Sequence, residues 1–112
     1  MPRTNTPKKP LGVMIAFKPP PEALPGQRTR FYRRLTGYID HSNYGKFKYK
    51  RPGLLNKVPH INPVDSLIII RPEHEDEVVS LLNSEGATIY ARRIILEDED
   101  MEQLSKLPEK DD

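Results

Sequence analysis

Residues 28 to 51 carry the side chains best suited to chemistry, namely Arg28, Arg30, Arg33, Arg34, Lys46, Lys48, Lys50 and Arg51. The segment 31–51 within that span also holds six of the chain's eight aromatic residues, Phe31, Tyr32, Tyr38, Tyr44, Phe47 and Tyr49, and a single acid, Asp40. Lysine and arginine neutralise phosphates and release the counterions condensed on a nucleic acid. Aromatic faces beside them can stack on unpaired bases, at about 1–3 kcal/mol per base. Strict alternation in KFKYKR (46–51) predicts a strand with Phe47 and Tyr49 on one face and Lys46, Lys48 and Lys50 on the other. Phe47 and Tyr49 are expected to pack, which leaves Tyr32, Tyr38 and Tyr44 as the rings free to stack. The competing reading of the block is a solvated cationic face over a buried one.

The charge is divided along the chain. Residues 1–60 contain 13 Lys or Arg and 2 Asp or Glu, whereas residues 61–112 contain 5 and 14, so balances of +11 and −9 sum to the net +2. A basic part that meets a polyanion and an acidic tail is the expectation. The tail, 97–112, has eight acids and two lysines. Its acidic start can begin a short helix with Met101, Leu104 and Leu107, though a mobile tail is the expectation. It competes with nucleic acid for the basic part, docks on a partner's basic surface or serves solubility.

The elements that must position these side chains form a single small domain, since the chain has 112 residues. The most strongly patterned stretch is 66–96. SLIIIR (66–71) is a continuous apolar run, as in a strand covered on both faces. PEHEDEVVSLLNSEG (72–86) reads as a helix, with proline and acids at its start, Val78, Leu81 and Leu82 inward, and Gly86 after its end. ATIYARRIIL (87–96) is the next strand, returning parallel to the first as a βαβ unit. Residues 30–39 fit two periods. Phe31, Leu35, Tyr38 and Ile39 suit a helix, but the Tyr, Thr and Ile content and the cost of Gly37 in a helix, about 1 kcal/mol, favour a strand. DHSNYG (40–45) is turn chemistry, so 30–51 reads as a basic hairpin. GVMIAF (12–17) reads as a strand or docking segment. With seven of the twelve prolines in residues 1–25, residues 1–29 are expected to form an extended arm. The expected fold is α+β: a small mixed sheet with a basic hairpin and one βαβ unit over 30–96, an arm before it and an acidic tail after it.

Other chemistry finds little footing. The chain has no cysteine, so disulfides, thiolate zinc sites and thiol nucleophiles are excluded. His41, His60 and His74 lack metal-ligand spacing, and no glycine-rich phosphate loop or serine triad context is present. No cofactor is expected. No apolar run approaches the roughly 20 residues of a membrane span, and the run at 11–17 is followed by Lys18 and three prolines rather than a cleavage site. A soluble intracellular protein is expected. LTGYID (35–40) resembles the core of the helix motif of LAGLIDADG homing endonucleases. That resemblance implies a metal-binding acid two residues after Asp40, where this chain has Ser42. The expected function is therefore non-enzymatic binding of DNA or RNA as an accessory subunit of a larger complex. The alternatives are a protein-interaction subunit without nucleic-acid contact and a nuclease or other metal-dependent enzyme using Asp40, His41 and the acidic residues.

Overall fold

The computed structural model describes residues 10–42 and 45–106. Strands β1 (Leu11–Lys18), β2 (Tyr38–Ser42), β3 (Phe47–Arg51), β4 (His60–Val64), β5 (Leu67–Ile70) and β6 (Thr88–Ile95) combine with helices α1 (Gln27–Thr36), α2 (Glu75–Ser84) and α3 (Asp98–Leu104). The class is α+β. Four strands form an antiparallel sheet in the order β4-β5-β1-β6, and β2 and β3 form a separate two-stranded ribbon. Both β5 and β6 run antiparallel to β1. They are therefore parallel to each other, as the βαβ reading of 66–96 required, but β1 lies between them and every ladder is antiparallel. The path β1-α1-β4-β5-α2-β6 is the split βαβ arrangement of ferredoxin-like folds, with the ribbon inserted between α1 and β4.

The strand at 11–18 bears out the strand reading of GVMIAF (12–17). It takes that segment out of the arm expected over 1–29, of which residues 1–9 lie outside the described residues. Val13, Ile15 and Phe17 are buried and share a face with Ile68 and Ile70 of β5. An apolar run hydrogen-bonded on both edges and covered by helices is a central strand, and an arm could not bury those side chains. Helices α1 and α2 cover this same face through Phe31 and Leu35 and through Val78 and Leu82, each an i, i+4 pair on one helical stripe.

Helix α1 also replaces the strand expected at 30–39 as far as Thr36, whereas Tyr38 and Ile39 do begin a strand, β2. Burial of Phe31 and Leu35 against β1 decides between the two periods in favour of the helical one. The glycine penalty does not apply, because Gly37 lies past the helix end with φ +83°. The proline segment before α1 is tied to it: Gln27 Oε1 accepts hydrogen bonds from the amides of Ala23 at 2.6 Å and Leu24 at 2.8 Å.

The acidic segment is only partly a tail. Its acids begin α3, where Asp98, Glu99 and Asp100 occupy the first turn and complement the positive end of the helix dipole. The Glu97 amide donates to Asp100 Oδ2 at 3.0 Å. Leu104 is fully buried, and Leu96 fills the space that a side chain at Gly12 would need. Residues 107–112 lie outside the described residues. No described helix is long and apolar enough to cross a membrane. Leu104→Ala is expected to cost about 2–5 kcal/mol of stability, whereas Met101→Ala, at a position 43% exposed, stays within about 0.5 kcal/mol. Urea denaturation of both variants checks this anchoring of α3.

Candidate nucleic-acid interface

With Phe31 and Leu35 turned inward, helical spacing sends Arg30, Arg33 and Arg34 outward together, since i, i+3 and i+4 share a face. These three line an open groove of about 870 Å³ with Tyr38, Lys57 and Glu77. Arg34 Nη1 is 3.0 Å from Glu85 Oε2, and Arg33 lies over the Tyr38 ring at 4.4 Å. Arg33 and Arg34 also sit in the last turn of α1, where they complement its negative end. Arg30 and Lys57 have no ionic partner among the described residues. Arg28 leaves this group, for it lines a separate depression with Lys18, Pro19, Pro21 and Thr88.

The ribbon supplies a second surface. Its register pairs Tyr38 with Arg51, Ile39 with Lys50, Asp40 with Tyr49 and His41 with Lys48. Opposed residues share a face, so Tyr38, Asp40, Phe47, Tyr49 and Arg51 lie on one side and Ile39, His41, Lys48 and Lys50 on the other. All of β3 is exposed. Tyr38, Phe47 and Tyr49 are 37%, 47% and 49% exposed, which overturns the packing role expected of Phe47 and Tyr49. Alternation identifies which residues share a face but not whether anything covers it, and here none of the described residues buries either face of β3. Arg51 reaches the Asp40 carboxylate at 3.2 Å and lies 5.7 Å from the centre of the Tyr49 ring.

The remaining residues expected to bind divide. Lys46 is exposed in the turn between β2 and β3. Tyr32 is half-buried and meets Phe31 edge-on at 5.1 Å, so it belongs to packing. Tyr44 lies outside the described residues. Asp40 and His41 point to opposite faces of β2 and do not converge, and no group of three His, Asp or Glu residues suited to a metal forms among the described residues. The LTGYID string spans the end of α1, Gly37 and the start of β2, so it is not the helix its resemblance implies. Lys57 has no counterpart among the expected residues because it sits in a proline-punctuated loop whose sequence has no period to read.

Two glycines hold the groove and ribbon together. Gly37 adopts φ +83°, and a Cβ there would lie 2.7 Å from the Arg51 carbonyl oxygen and 2.8 Å from the Gly53 amide nitrogen. A Cβ on Gly53 would in turn collide with the backbone of Leu35 and Gly37. The strand leaving α1 and the strand returning to the body thus touch backbone to backbone. Gly37→Ala combines backbone strain with overpacking and is expected to cost about 2–6 kcal/mol. Gly45→Ala, with φ +80° but open space around it, should cost only about 1–2 kcal/mol. Denaturant titration of the two variants measures the difference.

The main sheet has a second face, away from α1 and α2, where the Leu96 side chain packs over Gly12. Met14, Ala16, Leu67 and Ile69 are half-buried there on the central strands, and Tyr90 stands on the edge strand β6 under the Arg92 guanidinium at 3.9 Å. Sheets that bind single strands stack bases on aromatics of the sheet itself. The central positions here are aliphatic, so the paired rings and cations concentrate on α1 and the ribbon. Comparison of the chain with protein-family models, with curated proteins and with solved structures gave no match.

Proposed function

We propose that the protein is a non-enzymatic nucleic-acid-binding protein that acts as an accessory subunit of a larger DNA or RNA processing complex. The observation that carries this reading is the continuity of the cationic groove with the ribbon. Arg30, Arg33, Arg34 and Lys57 face one acid, Glu77, in the groove, and Tyr38 belongs both to the groove wall and to the ribbon. Arg30 and Lys57, without an ionic partner among the described residues, bring positive charge not already neutralised by the protein. A phosphate backbone is the polyanion that fits an open cationic groove of this kind. The protein-partner part of the reading draws on exposed apolar side chains away from the groove, such as Val64 and Ile95. Co-purification with and without nuclease treatment separates a protein-held partner from one bridged by nucleic acid.

Fluorescence anisotropy with labelled oligonucleotides at several salt concentrations tests the binding. Affinity is expected to fall log-linearly with salt, and Arg30→Ala with Lys57→Ala should lower the slope by about 0.7–0.9 for each phosphate that is no longer neutralised. Absence of binding at low salt, or binding indifferent to salt, contradicts the reading. The acidic tail is tested by ending the chain after residue 106, because a deletion from residue 97 would also remove the buried Leu104. Tighter binding on that truncation is expected if Glu109, Asp111 and Asp112 compete for the groove, and unchanged affinity refutes the competition.

A further inference from the structure

We infer that the α1–ribbon site takes a single-stranded nucleic acid with its bases turned outward, two of them lying against the Phe47–Tyr49 row while the groove of Arg30, Arg33 and Lys57 holds phosphates. This deepens the nucleic-acid-binding reading and rests on it.

Three observations select an unpaired strand over a duplex. First, the ring-bearing face of the ribbon is open, with Phe47 and Tyr49 about half exposed. A base inside a duplex has both its faces covered by neighbouring bases, so exposed rings gain stacking energy chiefly from unpaired ones. Second, Phe47 and Tyr49 are two residues apart on one strand, which spaces the backbone points that carry their rings about 6.8 Å apart at about 3.4 Å per residue. That is twice the rise of about 3.4 Å between stacked bases along one strand of a duplex. The row therefore matches bases drawn apart from each other and interleaved with side chains, not bases stacked on one another. Third, guanidinium groups accompany the rings. Arg33 lies over Tyr38 and Arg51 beside Tyr49, and arginine planes serve as stacking surfaces for splayed bases while carrying charge for the backbone. Tyr38 joins the two parts, since it shares a ribbon face with Tyr49 and lines the groove. A duplex gripped in its major groove would instead engage the opposite ribbon face, with Lys48 and His41, and leave the rings unused.

The test uses the full chain and one labelled oligonucleotide sequence in three forms: a single strand of DNA or RNA, the matching duplex, and an abasic single strand that keeps the phosphates. The intact single strand is expected to bind most tightly. Phe47→Ala and Tyr49→Ala should each weaken it about 5- to 100-fold, without changing the salt slope or duplex binding. The abasic strand should show a comparable loss with the unaltered protein. Tyr49→Trp, which retains a stacking face, should bind as well as the original. Circular dichroism confirms that each variant is folded, and Tyr49→Trp keeps the comparison decisive if an alanine variant is not. Equal affinity for duplex and single strand, or ring variants with no effect, overturns this inference and leaves the nucleic-acid reading standing. Failure of all three forms to bind at low salt overturns both.

Discussion

The whole fold depends on β1 being hydrogen-bonded along both edges while its odd-numbered side chains are buried. Val13, Ile15 and Phe17 meet β5 on one side, β6 on the other and two helices above. A strand in that position removes two sheet edges at once and supplies the floor on which α1 and α2 rest. Helix α1 is helical because this floor rewards the burial of Phe31 and Leu35. Once those two side chains point down, the arginines between and beside them must point away. The cationic surface is thus a consequence of core packing as much as of composition.

Legibility from sequence follows the amount of apolar material in each segment. The strands at 67–70 and 88–95 and the helix between them are readable because long apolar runs, a proline and a glycine all agree there. Their parallel direction is readable too. The insertion of β1 between them is not, since pairing partners distant in sequence leave no local trace. Residues 30–39 carry two consistent periods, and only a tertiary contact can choose between them. GVMIAF (12–17) is readable as a strand, but the prolines on either side of it place it in an arm, and its central position in the sheet is not readable. In the acidic segment, Met101, Leu104 and Leu107 permit a short helix, but the density of charge favours a tail, and only the complete burial of Leu104 decides for the helix.

The candidate site is legible in its residue types and less so in its grouping. Arg30, Arg33, Arg34 and Tyr38 come together as the block suggests, while Arg28 turns to another surface and Tyr32 into the packing. The alternation at 46–51 correctly separates rings from lysines. It cannot show that both faces are open, because the covering layer that would bury one of them is a property of the rest of the chain. Exposure of Phe47 and Tyr49 is therefore information that only the three-dimensional arrangement supplies.

The backbone contact between Gly37 and Gly53 divides the chain thermodynamically. The ribbon leaves and re-enters the body at nearly the same point, so the body itself closes the loop and bears the entropy of joining its ends. Neither strand of the ribbon contributes to the buried cluster beneath the helices. The ribbon can therefore open and re-form while the core stays intact, as a local unit at the low end of the stability range. Two levels of stability coexist in one short polypeptide, and the segment bearing the exposed rings belongs to the softer one.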